Sequence, residues 1–187
     1  RSPQSLFTIG SLAIMAMSAG DVDEAYERLL RDRDAFERLD DRQYHAMTTG
    51  SLGWAAYVRG DIPSAIRHSV ASLVETHAMR DRGTATISLT TGVLMASMLG
   101  RPEEAARLDG AFEALCRQYG VRPPASLERF IGDMDVLGQV RAALTPESFA
   151  AAFEQGRRMS LDEAVALVAT LGDMAALGDV AVGHPPR

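Results

Sequence analysis

Residues 53–66 read GWAAYVRGDIPSAI and contain the pattern that decides the fold: small residues, a turn glycine at Gly60 and, five positions later, Ala65. The turn glycine recurs forty residues earlier and later, at Gly20 and Gly100, and each again precedes an alanine by five positions. Self-similarity at a period of tens of residues is typical of stacked helical hairpins, each of which is completed by its neighbours. The sequence therefore predicts an all-α solenoid.

Each repeat is interpreted as two helices joined at the turn glycine. Apolar residues recur every three or four positions on both sides of each turn, which is the period of an amphipathic helix. Asp21 and Glu24 have the spacing of a capping box. Pro63 falls in a first helical turn, where proline is tolerated, and Gly120 is placed as a C′ glycine. Three hairpins are therefore expected over residues 1–122.

The helical pattern changes after two consecutive prolines that follow the third hairpin. Apolar residues at steps of three and four over 127–144 predict one long amphipathic helix. Two shorter helices are expected to follow, the first capped by Thr145 and the second opened by a capping box that begins at Ser160. We assign residues 123–171 to a C-terminal helical repeat or cap, and residues 172–187, where glycine increases and periodicity fades, to a flexible end or linker.

Small residues come into register when the hairpins are aligned on their turn glycines. Ala16, Ala56 and Ala96 share one position on the first helix of each hairpin. Small side chains let paired helices approach closely. These offsets resemble the tetratricopeptide repeat, although the period here is about 40 residues rather than the 34 of that family, and its helix-breaking proline is missing. The resemblance implies tetratricopeptide-like hairpins with longer helices.

The resemblance also implies that the first helices of the hairpins build a concave face. Counting back from each turn glycine places a set of apolar and aromatic residues on or near this face: Phe7, Ile14, Met17, Met47, Trp54, Tyr57, Ile87, Leu94 and Met98. A groove lined by methionine and aromatic side chains accepts peptides, helices or apolar small molecules. The alternative is that a C-terminal helix fills the groove or that this face is core, since large exposed apolar patches are rare.

A second resemblance lies in two C-terminal segments, LDGAFEALCRQYG at 108–120 and FAAAFEQGRRMSLDEAV at 149–165. They are similar to the closing segment of a family of actinobacterial multidomain signal-transducing ATPases, over about residues 100–170, with Phe153 where many relatives carry tryptophan. Members of that family join a P-loop NTPase module and a tetratricopeptide-like array to a LuxR-type DNA-binding domain or an adenylate-cyclase-type domain. The resemblance implies that the NTPase and output domains lie outside this chain.

The composition excludes several classes of function. A formal charge of −6 and a pI near 5.2 argue against a surface for nucleic acid, because such binding depends on clustered cations. All nineteen basic residues are arginine, so a Walker loop and lysine Schiff-base chemistry are excluded. No apolar stretch approaches the roughly 20 residues that span a bilayer, so we expect a cytoplasmic protein without membrane contact.

Candidate chemistry is sparse in the sequence. The histidines never have the i, i+4 spacing of a helical metal pair, and the single cysteine, Cys116, offers no thiolate pair, so no metal and no cofactor are expected. No nucleophile elbow is present, so no catalytic residue is expected. Three hypotheses remain: a non-catalytic regulatory protein-interaction or sensor module, a small-molecule inducer-binding array, and an unrelated all-helical enzyme.

The partners expected for the first two hypotheses are a protein or peptide, including other domains of the full-length chain, and a small-molecule effector. A homodimer is a further expectation, because an array that lacks a terminal cap exposes an apolar face.

Overall fold

The computed structural model describes residues 21–176, which form nine α-helices and no strand. Helices α1 to α5 pack consecutively against one another, and this confirms the predicted all-α solenoid. The first predicted helix, with Ala16 and Gly20, lies outside the described residues. The helices are α1 Val22–Arg38, α2 Arg42–Val58, α3 Ile62–Ala78, α4 Arg82–Met98, α5 Pro102–Tyr119, α6 Ala125–Asp133, α7 Val136–Ala142, α8 Pro146–Gly156 and α9 Leu161–Ala176.

The true structural unit of the stack is twenty residues long, half of the period seen in the glycines. Helices α1 to α4 each have 17 residues, and α1 to α5 begin at intervals of twenty. Each of the five helices is followed by a turn residue with positive φ, and these residues are Asp40 (54°), Gly60 (79°), Arg80 (59°), Gly100 (64°) and Gly120 (65°). The forty-residue repeat is therefore two helix-and-turn units of nearly the same backbone.

An aspartate directly after the turn starts most of these units. The Oδ1 atoms of Asp41, Asp61 and Asp81 accept hydrogen bonds from the backbone N–H groups three residues later, at 3.3, 3.1 and 3.0 Å. These bonds satisfy amides that have no partner inside the helix. Asp21 occupies the same position but its side chain makes no cap hydrogen bond, so the predicted capping box with Glu24 is wrong.

Small residues allow the helices of each hairpin to pack closely, as predicted. Ala56 and Ala96 are fully buried at equivalent positions of α2 and α4. Gly53, three residues before Ala56, lies so close to α3 that an added Cβ would be 2.8 Å from the hydroxyl oxygen of Ser69. The predicted register of the hairpins is therefore confirmed over the described helices.

The long helix predicted over 127–144 is wrong, because the chain divides there into α6 and α7. Asp135, between the two helices, has a left-handed backbone conformation (φ 48°). Gly132 and the aspartates around it are poor helix formers, so an interruption costs little. The break lets Phe130 pack from α6 while Val136 and Val140 of α7 turn into the core.

The last two helices close the stack. Helix α8 lies across α5, and α9 packs on α3, α4 and α5. Both predicted caps are present, since Thr145 Oγ1 accepts from the Ser148 N–H at 3.1 Å and Ser160 exchanges hydrogen bonds with Glu163. Helix α9 continues to Ala176, past the boundary predicted at residue 171.

The crossing of α5 and α8 depends on two glycines. A Cβ added to Gly110 would overlap the carbonyl oxygen of Phe153, and one added to Gly156 would overlap the carbonyl oxygen of Arg107. Backbone thus meets backbone on both sides of the crossing. The two segments that carry the family resemblance, 108–120 and 149–165, meet at this crossing.

Candidate functional site

The residues predicted to line an apolar groove are largely part of the core. Of the six that the structure describes, Trp54, Tyr57, Leu94 and Met98 are at most 6% exposed, and Met47 and Ile87 are partly buried. Phe130 from α6 packs edge-on against the Trp54 ring, with the centroids 5.5 Å apart. Burial also raises the pKa of the Tyr57 hydroxyl. An open groove on these six residues is therefore not formed, and the other three, Phe7, Ile14 and Met17, lie outside the described residues.

Clefts occur instead along one edge of the stack, where successive hairpins are joined. The turns at Asp40, Arg80 and Gly120 lie on this edge, and we name the adjacent clefts the turn-40, turn-80 and turn-120 clefts. Their volumes are about 160, 500 and 610 Å³. The turn-80 cleft is lined by residues from four helices and their ends: His77, Ala78, Arg80, Asp81, Arg82, Tyr119, Ser160, Leu161 and Asp162.

The turn-40 cleft is acidic, and its arginine and histidine side chains have a carboxylate partner. Glu75 Oε2 lies 2.8 Å from His45 Nδ1, and its Oε1 lies 3.7 Å from the Nε of Arg42. Three further acids line the same cleft: Glu37, Asp40 and Asp41. Glu75 is therefore already a partner for both the Arg42 guanidinium and the His45 ring.

The acids of the turn-80 cleft have partners, whereas its arginines form no ion pairs with any of residues 21–176. Asp81 Oδ2 accepts hydrogen bonds from Thr84 Oγ1 at 2.6 Å and from Gln43 Nε2 at 3.0 Å. Asp162 Oδ1 lies 2.7 Å from His77 Nε2, a bond that links α9 to the end of α3.

Arg82 stacks over the ring of Tyr119, with its Cζ 5.6 Å from the ring centroid, and Arg80 is exposed. Over residues 21–176, neither guanidinium has a carboxylate within salt-bridge distance. The turn-80 cleft therefore holds two cations whose hydrogen-bond donors can meet an incoming anion.

Serine, histidine and aspartate all line the turn-80 cleft, but Ser160 is bonded as a helix cap, and His77 and Asp162 link α3 to α9. The Ser160 hydroxyl lies 2.8 Å from Glu163 Oε2 and accepts from the Glu163 N–H at 3.2 Å. Hydrogen bonding to Ser160 also lowers the pKa of Glu163. Ser160 thus serves the start of α9, and what the cleft offers chemically is hydrogen bonding and charge.

Sequence reasoning missed the turn-80 cleft. Its residues come from three distant segments, 77–82, 119 and 160–162, which only the packing of α9 and α5 brings together. The sequence did hold one clue to this edge of the stack. Arg42, Arg82 and Arg122 are spaced by forty residues, and each lies two positions after the turn residue that joins two hairpins. All three are exposed on the described structure.

The turn-120 cleft contains a carboxyl group with a perturbed proton affinity. Burial raises the pKa of Asp109 from 3.8 to about 6, against the opposing effect of the positively charged Arg141. Burial and the negative charge of Glu128 also raise the pKa of the nearby Cys116 thiol. The ionised form of Asp109 therefore weakens the folded state at neutral pH.

Replacing Asp109 with asparagine is expected to stabilise the protein at pH 7. The folded state binds the Asp109 proton more tightly than the unfolded state does, so stability falls as the pH rises from about 4 to about 6 and stays low above that. The free energy of unfolding should lose about 2 kcal/mol over this range in the wild type, and the Asn variant should lack that loss. Urea titrations across this pH range, with Glu103→Gln as a surface control, measure the difference; identical pH profiles for wild type and D109N would contradict the assignment.

Comparison with protein-family models, curated proteins and solved structures finds no match to this chain in any of the three. Within residues 21–176, no helix is long and apolar enough to cross a membrane. No group of three or more histidine, cysteine, aspartate or glutamate side chains in that range is arranged to hold a metal ion.

Proposed function

We propose that this chain is a non-catalytic regulatory module, a sensor and protein-interaction array within a larger signal-transducing protein. The observation that best supports this is the twenty-residue regularity of α1 to α5. The turns at Asp40 and Arg80 have nearly the same φ, yet their clefts carry different charges. A scaffold that repeats its backbone and varies its edge residues is suited to recognition, because each repeat presents new side chains at a fixed place.

The wider context of the proposal comes from the resemblance of the C-terminal segments to actinobacterial signal-transducing ATPases. Residues 108–120 and 149–165 form the α5–α8 crossing, and the close fit at Gly110 and Gly156 gives these segments a shared structural role. On this proposal the protein acts in the cytoplasm in transcription regulation or cyclase control. The NTPase module and the output domain then belong to other parts of the full-length protein.

A small-molecule effector is a second candidate function, favoured by the turn-80 cleft. Its volume of about 500 Å³ falls in the range of about 300–1,000 Å³ that is usual for small-molecule sites. A ligand bound there would change the contact between α3 and α9, which are linked by the His77–Asp162 bond. An effector and a protein partner are compatible, because they would use different parts of the stack.

The proposed function is tested by the gene sequence on either side of the segment that encodes this chain, read in the same frame. We expect it to continue into a P-loop NTPase module on one side or into a DNA-binding or cyclase domain on either side. Limited proteolysis of the full-length protein should then release a helical fragment that contains residues 21–176. Stop codons that bound the frame without such a domain would contradict the multidomain role.

A further inference from the structure

The turn-40 and turn-80 clefts carry acidic and basic residues, respectively, at two matched backbone positions. Residues forty apart occupy equivalent places in the two turns, so Asp40 corresponds to Arg80 and Glu37 corresponds to His77. The acid at each of these positions in the first cleft is thus replaced by a basic residue in the second. The change is confined to side chains, since φ is 54° at Asp40 and 59° at Arg80.

Arg80 occupies a backbone conformation that does not favour arginine. Its φ of 59° lies in the left-handed region, where a Cβ atom is crowded and glycine is the usual residue. The chain itself uses glycine at three of the five equivalent turns, Gly60, Gly100 and Gly120. A strained residue in a turn where glycine would fit points to a use for its side chain.

The charges of the turn-80 cleft determine what kind of anion it suits. Arg80 and Arg82 carry two positive charges, and Asp81 and Asp162 carry two negative ones. The acids already accept hydrogen bonds or face His77, so the guanidinium groups supply the free donors. Because the formal charges balance, a single negative charge is favoured over the double charge of a phosphate monoester.

A carboxylate fits these donors better than other monoanions. The planar fork of a guanidinium matches the two oxygens of a carboxylate, and such pairs are charge-assisted. Ala78, Leu161 and the ring of Tyr119 give the same cleft an apolar wall for the rest of a ligand. Three chain segments line the cleft, and its volume of about 500 Å³ suits a small molecule.

We propose that the turn-80 cleft binds the carboxylate of a small organic acid through Arg80 and Arg82. The proposal rests on the proposed function as a sensor module, and it names the class of effector. Arg80 contacts the ligand directly in this account, and Arg82 is held in place by its stacking on Tyr119.

Acetate, the minimal carboxylate, is the first probe for this site. It is titrated into the isotope-labelled chain and followed by NMR, against sodium chloride at equal ionic strength. We expect acetate-specific shifts at Arg80, Arg82 and Tyr119, and saturable binding of the monocarboxylates butyrate and benzoate at the same resonances. Shifts that chloride reproduces, no shifts, or tighter binding of inorganic phosphate would overturn the proposal.

Arg80→Gly separates ligand binding from folding. Glycine suits the left-handed turn, so we expect the melting temperature to stay the same or rise while carboxylate affinity falls about tenfold or more, the usual effect of losing a charge-assisted bond. Asp40→Gly is the matched control, because it changes the equivalent turn and should leave carboxylate binding intact. Unchanged binding by R80G, or equal losses in both variants, would overturn the assignment.

One further variant and one further ligand complete the test. Arg82→Gln should weaken carboxylate binding in the same direction as R80G, and full retention by R82Q would count against the paired-arginine site. A peptide with one glutamate between glycines, blocked at both ends, separates a free acid from a partner's side chain. Tighter binding of this peptide than of butyrate would overturn the small-molecule assignment. The reading frame tests the multidomain role independently of these results.

Discussion

Gly156→Ala is expected to detach α8 from the stack and to be among the most destabilising single substitutions in the chain. The added Cβ would overlap the backbone carbonyl of Arg107, and backbone cannot move aside as the end of a flexible side chain can. Overpacking usually costs about 1–3 kcal/mol. We expect the upper end of that range or more here, measured as a loss in the free energy of unfolding by urea titration.

Gly132→Ala is the matched control for the α8 prediction. Gly132 is exposed in α6, and within residues 21–176 no atom beyond its chain neighbours and its own helix backbone lies within 4 Å of the place where its Cβ would be. Alanine favours the helix over glycine by about 0.5–1 kcal/mol, so G132A should be neutral or slightly stabilising. Similar losses in G156A and G132A would show that the α5–α8 crossing is not as close as the structure has it.

Trp54→Ala is the second substitution with a large expected effect. Trp54 is 5% exposed and packs edge-on against Phe130, so its removal leaves a cavity between α2 and the C-terminal helices. Tryptophan-to-alanine changes in a core typically cost about 3–5 kcal/mol. Thermal and urea unfolding should show a loss of this size, and Leu39→Ala, at a residue that is 71% exposed, should stay within about 0.5 kcal/mol of the wild type.

The fluorescence of Trp54 provides an independent check of the same packing. Trp54 is the only tryptophan in the chain, so its emission reports on one place. Phe130→Ala should let water reach the indole and move the emission to longer wavelength, while Phe149→Ala in α8 should not. An unchanged spectrum in F130A would contradict the placement of α6 over Trp54.

Sequence reasoning works best here where local chemistry determines the outcome. Gly60 and Gly100 each join two helices as predicted, and Gly120 adopts the left-handed conformation expected of a C′ glycine. The twenty-residue unit was hidden because the turns at Asp40 and Arg80 lack glycine. Asp40 and Arg80 have nearly the same φ but are different residue types, so an internal sequence repeat does not show that their turns are equivalent.

The candidate site could not be predicted, because it depends on which surfaces meet. An amphipathic pattern shows that Trp54 and Leu94 lie on an apolar face, but not that α6 or a neighbouring helix covers it. The division of 127–144 at Asp135 likewise follows from tertiary packing that places Phe130 and Val136 in the core. Tertiary contact therefore converts the predicted groove to core and gathers the turn-80 cleft from distant segments.

The distances between spin labels at Arg42, Arg82 and Arg122 test the serial stack most directly. These exposed residues are spaced by forty, and cysteines can be placed there in pairs after Cys116→Ala removes the native thiol. Double electron–electron resonance should give a 42–122 distance clearly longer than the 42–82 and 82–122 distances, as expected when repeats follow one another along an axis. A 42–122 distance equal to or shorter than the other two would show a closed bundle and contradict the repeat architecture.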